Sequence, residues 1–100
     1  MKNFKTEVLE NKRLAKDIFK IKFSAAEFAE QAKPGQFAEV LCSGANAPFL
    51  RRPFSIHCAD KTTGTAEILF KTVGRGTEIL SLLKKGDALD IIGPLGKGFE

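Results

Sequence analysis

Apolar and polar residues alternate along several short stretches of this chain, and that period of two constrains the fold more than any other feature. Phe19, Ile21 and Phe23 are interleaved with Lys20 and Lys22, as expected of a strand with one dry and one wet face. Comparable segments run from about Phe4 to Arg13, Asp17 to Phe23, Phe37 to Cys42, Phe54 to Ala59, Thr65 to Val73 and Ala88 to Ile92. Turn residues separate them at Pro34-Gly35, Asn46-Ala47-Pro48, Thr63-Gly64 and Lys85-Gly86-Asp87. Six short strands at this spacing predict an all-β fold, a closed six-stranded antiparallel barrel.

One short helix is expected at Glu78 to Leu83. Thr77 stands as its N-cap, Ile79, Leu80 and Leu83 form an apolar face, Lys84 and Lys85 lie at its negative end, and Gly86 terminates it. A second, short helical turn is read between Ala25 and Ala32.

A chain of 100 residues, 43% hydrophobic and 28% charged, can bury roughly two-thirds of its unfolded surface, enough for one core. Residues 1–100 are therefore read as one domain, with no internal repeat, low-complexity tract or linker. No apolar run approaches the roughly 18 residues of a membrane span, and Met1-Lys2-Asn3-Phe4-Lys5 is not followed by a leader-type apolar region. The chain is read as cytoplasmic, with no membrane partner. Cys42 and Cys58 stand 16 positions apart with only His57 as a further soft ligand, which excludes a local zinc or iron–sulfur site built from thiolates and imidazole. Both cysteines are read as small buried strand residues, His57 as a structural histidine, and Phe19, Phe23 and Phe37 as core.

The formal net charge is +4. Residues 1–33 carry 8 Lys/Arg and 5 Asp/Glu, and residues 51–76 carry 5 and 2. In the first stretch Lys20 and Lys22 mark the solvated face of a strand. The second holds Arg51, Arg52 and Arg75 among Pro, Ser, Gly and Thr, a composition suited to gripping phosphate.

Two clusters carry the chemistry. In Leu50-Arg51-Arg52-Pro53-Phe54-Ser55-Ile56, arginine offers a planar fork to a pyrophosphate, Phe54 an apolar ring and Ser55 a hydroxyl. The same residues also suit an ordinary edge strand, in which Pro53 lacks an N–H and both arginines face water. In Gly74-Arg75-Gly76-Thr77, glycines let the backbone approach an anion ahead of the expected helix. That stretch is neither a Walker loop nor a dinucleotide fingerprint, because the Lys-Ser/Thr pair and the third glycine are missing. Taken alone it also suits a tight strand-to-helix connection.

Together, in this order and spacing, the two clusters resemble the flavin-binding domain of the ferredoxin–NADP reductase superfamily. That family carries an Arg-x-Tyr-Ser-type motif on one strand and a Gly-rich turn before the single helix of a six-stranded Greek-key barrel. Here the first motif reads Arg52-Pro53-Phe54-Ser55, with Phe in place of Tyr. Four segments narrow the likeness: Pro34-Gly35-Gln36-Phe37, Arg51-Arg52, Val73 to Thr77, and Gly93-Pro94-Leu95-Gly96-Lys97-Gly98-Phe99. They are most similar to the electron-transfer subunits of NAD-dependent dihydroorotate dehydrogenases, over essentially the whole chain.

The resemblance implies that Arg52 contacts the FAD pyrophosphate and that Pro53, Phe54 and Ser55 line the flavin. It places Leu69, Phe70 and Lys71 on the next strand as further contacts, and Gly76 and Thr77 on the pyrophosphate. Phe54 and Phe70 are accordingly set apart from the core phenylalanines. The residues by themselves do not distinguish FAD from FMN. No catalytic acid or base is implied, since the flavin carries the redox chemistry and the protein positions it.

In that family an NAD-binding domain and a cysteine-held [2Fe–2S] cluster follow the barrel, and neither is expected within these 100 residues. The partner implied is an FMN-containing dihydroorotate dehydrogenase catalytic subunit, with electrons passing between NAD(H) and the iron–sulfur cluster as dihydroorotate is oxidised to orotate in pyrimidine biosynthesis. A related subunit of an NAD(P)H–ferredoxin oxidoreductase is an alternative. The resemblance to that branch brings an apolar residue and Thr where this chain has Phe54-Ser55. A basic barrel binding nucleic acid is a further alternative, disfavoured because Phe19, Ile21 and Phe23 oppose Lys20 and Lys22 instead of sharing a face with them.

Overall fold

A computed structural model describes residues 2–33, 35–42, 50–72 and 75–96. Among them the chain forms β1 (Lys2–Ala15), β2 (Ile18–Ser24), α1 (Ala26–Gln31), β3 (Phe37–Cys42), β4 (Leu50–Asp60), β5 (Thr65–Lys71), α2 (Arg75–Ser81) and β6 (Ala88–Leu95). The strands close into a barrel in the order β1-β2-β5-β4-β3-β6, and each neighbouring pair is antiparallel. The passages from β2 to β3 and from β5 to β6 each skip two strands, giving the Greek-key path. Each carries one of the helices.

The alternation read in β2 is realised in three dimensions. Ile21 and Phe23 are fully buried, while Lys20 ion-pairs with Glu10 at 3.8 Å and with Glu67 at 3.6 Å on the outer face. That outer face carries both signs of charge and is not a basic strip. The core gathers Val8, Ile21, Phe23, Phe28, Val40, Ile68, Leu80 and Ile91 from strands and both helices. Each large side chain removed from water contributes roughly 1.5–3 kcal/mol.

The helices close opposite ends of the barrel. At one end Phe28 of α1 is fully buried and meets Phe23 edge-on, with centroids 5.5 Å apart. The approach there is tight, because a Cβ on Gly93 (φ +156°) would lie 3.1 Å from the Phe28 ring. The β4–β5 turn also touches α1. The Ala25 N–H donates to the Gly64 carbonyl at 2.8 Å, and Gly64 takes φ +67° in the left-handed region that glycine tolerates. At the other end Leu80 of α2, 1% exposed, completes the core.

Several boundaries differ from the sequence reading. The Ala25-to-Ala32 segment does form a helix, so there are two short helices among the described residues and not one. β1 extends beyond both expected ends, and β4 starts at Leu50, which places Arg51 and Arg52 inside a strand. α2 begins at Arg75, three residues before the expected start, so Thr77 lies in its first turn and not at its cap. The reason is burial: Thr77 at 4% exposure and Leu80 at 1%, three residues apart, form the inward face of the helix. α2 ends at Ser81, and Gly86 (φ +94°) serves a separate turn in which the Lys84 N–H donates to the Asp87 carboxylate at 2.7 Å. The expected turns at Pro34 and Asn46-Ala47-Pro48, and Val73-Gly74, lie outside the described residues.

Candidate functional site

The barrel has an open seam between β4 and β5. Their pairing runs from Asp60 opposite Thr65 to Ile56 opposite Ile68 and ends there among the described residues. Beyond that point β4 continues only against β3, down to Leu50 opposite Cys42, and β5 continues only against β2, up to Lys71 opposite Ile18. A register shift between Ile56 and Cys58 marks a β-bulge at the start of the split, and a bulge bends the strand that carries it.

The split leaves a groove of about 370 Å³, lined by Arg52, Pro53, Phe54 and Ser55 of β4, Leu69, Phe70 and Lys71 of β5, and Thr77 of α2. Eight of the nine residues expected at the site therefore share one cavity. The ninth, Gly76, lies next to Thr77 in the first turn of α2.

The floor of the groove is aromatic. Phe54 and Phe70 are 9% and 5% exposed, with ring centroids 5.8 Å apart and planes at 62°, and Phe70 also stacks on Phe19 at 5.8 Å and 17°. This corrects the sequence reading that set Phe54 and Phe70 apart from the core. Both rings are core, because each strand's alternation turns them inward, and the groove meets them from above. Phe19 and Phe37, read as core, are only half-buried.

The rim is cationic and polar. Arg52, Pro53, Ser55 and Lys71 are exposed, and the lining holds two cations and no carboxylate. The neighbouring arginine is committed elsewhere. Arg51 donates to the Asp90 carboxylate at 2.8 Å and to the Asp90 carbonyl at 3.3 Å on β6. Adjacent residues of a strand point to opposite faces, so Arg51 knits β4 to β6 on the outside while Arg52 stands at the barrel mouth. Nothing in the doubled arginine itself distinguishes the two; the strand register does.

His57 and Cys58 fall on the bulge and are exposed, lining a different cavity of about 320 Å³ with Lys33, Ile56 and Ala59. Cys58 was expected to be buried and His57 structural; the bulge breaks the alternation and turns both outward. The Cys42 side chain lies outside the described residues. Among the described residues no group of three or more His, Cys, Asp or Glu side chains could hold a metal ion, and no helix is long and apolar enough to cross a membrane.

Comparison with known proteins bears on what such a groove holds. The profile of the oxidoreductase FAD-binding domain family matches residues 5–99. The chain belongs to this family. As an FAD-binding domain it is 45% identical, over 98% of its length, to the electron transfer subunit of dihydroorotate dehydrogenase B (NAD(+)) from Desulforamulus reducens, and 37% identical over 93% to that of Fusobacterium nucleatum subsp. nucleatum. It spans 37% and 36% of those two relatives. Among solved structures, the NADH-dependent reduced ferredoxin–NADP oxidoreductase studied for flavin-based electron bifurcation superposes with a TM-score of 0.86 at 29% identity, over 95% of this chain and 34% of that one. A ferredoxin NADP+ reductase from Neisseria gonorrhoeae, solved with bound FAD and NADP, shares the fold at a TM-score of 0.76 and 20% identity, over 99% of this chain and 39% of that one.

The residues present suit FAD. The FAD-binding domain offers a concave apolar floor for a ring, hydroxyls at Ser55 and Thr77, and two cations at the rim for a dianionic pyrophosphate.

Proposed function

We propose that this domain holds FAD in the β4–β5 groove, and that the subunit to which it belongs passes electrons between NAD(H) and a [2Fe–2S] cluster during oxidation of dihydroorotate to orotate. The observation that carries the reading is the groove itself: eight residues from three elements meet over an aromatic floor, with two cations and no carboxylate. The 45% identity to an electron transfer subunit of dihydroorotate dehydrogenase B supports the substrate. The NAD-binding and [2Fe–2S] portions belong to the remainder of the subunit, and the partner is an FMN-containing catalytic subunit. The assembly is cytoplasmic. The ferredoxin–NADP oxidoreductase reading draws on a lower identity, 29% over a similar span.

In this scheme Arg52 binds the pyrophosphate through its guanidinium fork, and Thr77 with the backbone at Gly76 holds the other side of the same group. Ser55 and the Leu69–Lys71 strand edge supply polar contacts to the ring, while Phe54 and Phe70 support it from below and exclude water. When bound, FAD exchanges electron pairs with a nicotinamide and single electrons with an iron–sulfur centre. The residues of this domain transfer no proton and form no covalent bond. Overall, dihydroorotate gives up two electrons and two protons, NAD+ takes up both electrons and one proton, and the other proton goes to solvent.

The test mixes the full subunit, the FMN-containing catalytic subunit, dihydroorotate and NAD+, and follows NADH absorbance. NADH should form only when both subunits are present, and the rate should fall with Arg52→Ala. NADH formation indifferent to the subunit that carries this domain would overturn the reading.

A further inference from the structure

The β1–β2 hairpin holds the segment from β5 to α2 at both of its ends. At the far end, the Asn11 side-chain amide of β1 points at the last two carbonyls of α2 and at one just beyond it, with Nδ2 at 3.1 Å from Leu80 O, 3.2 Å from Ser81 O and 2.8 Å from Leu83 O. An amide has two N–H bonds for these three acceptors, so at least one is shared. The Leu80 and Ser81 carbonyls are in the last turn, where a helix runs out of i→i+4 donors, and Leu80 O also accepts from the Leu83 N–H at 3.2 Å. The orientation of the amide is fixed by its surroundings, since the reverse would set Oδ1 against three carbonyl oxygens. Oδ1 is buried and has no partner, so the capping bonds are made at the expense of an unsatisfied acceptor.

At the near end, the turn joining β1 to β2 holds Thr72, the residue after β5. The Thr72 N–H donates to the Asp17 carbonyl at 2.8 Å, and the Thr72 hydroxyl to the Asp17 carboxylate at 3.1 Å. Asp17 takes φ +65°, a left-handed conformation that is costly for a non-glycine residue. Thr77 lies between these anchors and Lys71 directly precedes the first of them; both are groove residues.

We propose that Asn11 and Asp17 are positioning residues: they touch no ligand, but through α2 and Thr72 they fix Thr77 and Lys71 against Arg52 on the opposite wall. Among the described residues of this span, the buried faces of Thr77 and Leu80 add to these contacts. The proposal rests on the groove being the FAD site.

The test is a pair of double-mutant cycles in FAD affinity, read by flavin fluorescence, on protein whose fold is checked by circular dichroism. Asn11→Ala should weaken FAD about tenfold, about what one neutral hydrogen bond is worth. With Thr77→Val as the second change the losses should be non-additive, because Asn11 acts through the helix that carries Thr77. With Arg52→Ala, on another element, the departure from additivity should be much smaller. A general structural loss would not separate these two cycles. Thr72→Val, which keeps the backbone bond and removes only the hydroxyl, supplies a milder variant should Asn11→Ala not fold, and should weaken FAD by about threefold. Additive losses with Thr77→Val, or unchanged affinity in both Asn11→Ala and Thr72→Val, would overturn the proposal. If Arg52→Ala leaves FAD affinity unchanged, the groove reading fails and this proposal with it.

Discussion

The rings of Phe54 and Phe70 meet edge to face, 5.8 Å apart, at the level where β4 and β5 have ceased to pair. Where the backbone ladder opens, an aromatic contact takes over the cohesion of the wall, and the surface above it becomes a groove. Phe70→Ala should therefore act twice. It should cost about 3–5 kcal/mol of stability by leaving a cavity under the seam, measured by urea unfolding. It should also weaken FAD in a titration at temperatures where the variant is still folded.

The adjacent arginines should separate cleanly. Arg52→Ala removes a charge-assisted contact to the pyrophosphate and should cost about 1.5–3 kcal/mol of FAD affinity with little change in unfolding midpoint. Arg51→Ala breaks the pair with Asp90 and should cost about 1–3 kcal/mol of stability with a smaller effect on FAD. Calorimetric titration and thermal unfolding of both variants read the two effects side by side; equal losses of affinity would mean that the register at the barrel mouth is wrong.

Gly76 sits in the first turn of α2. Gly76→Val introduces a Cβ branch where the backbone is proposed to approach a pyrophosphate, and should lower FAD affinity while leaving the circular dichroism spectrum largely unchanged. Loss of the spectrum would make Gly76 a structural glycine.

The β4–β5 turn gives a pH signature far from the groove. The backbone N–H of Thr62, 2.8 Å from the Asp60 carboxylate, and then that of Thr63 at 3.3 Å hold the Asp60 carboxyl below its ordinary value of 3.8. A carboxyl lowered in the folded state stabilises the turn above pH 3.8 and loses that contribution as the pH falls through the folded value. Carboxyl-carbon NMR should show Asp60 titrating below the range of unconstrained aspartates, and Asp60→Asn should remove the acid dependence of the turn's amide signals.

What the sequence made legible was what depends on period and on single residues. The alternation of Phe19 to Phe23 marked a strand with its buried face, and Thr63-Gly64 marked the β4–β5 turn. Arg52, Ser55, Leu69, Lys71 and Thr77 were singled out by motif and resemblance, and they meet in one cavity. What stayed hidden depends on relations between strands. The bulge after Ile56 breaks no local rule in Ile56-His57-Cys58-Ala59, yet it turns His57 and Cys58 outward and opens the seam. The capping preference of threonine pointed to Thr77 as the helix start, and burial of that residue against the barrel overrode it. Asn11, in the middle of a strand, carried no sequence signal at all, because its partners are 69 to 72 positions away.

The measurement that tests the central claim most directly is an NMR titration of the isotope-labelled domain with FAD, followed through its backbone amides. The account predicts saturable shifts concentrated at Arg52, Phe54, Ser55, Leu69, Phe70, Lys71, Gly76 and Thr77, with the amides around His57 and Cys58 nearly still. Shifts centred on the His57 and Cys58 cavity, or no saturable change along the β4–β5 seam, would contradict it.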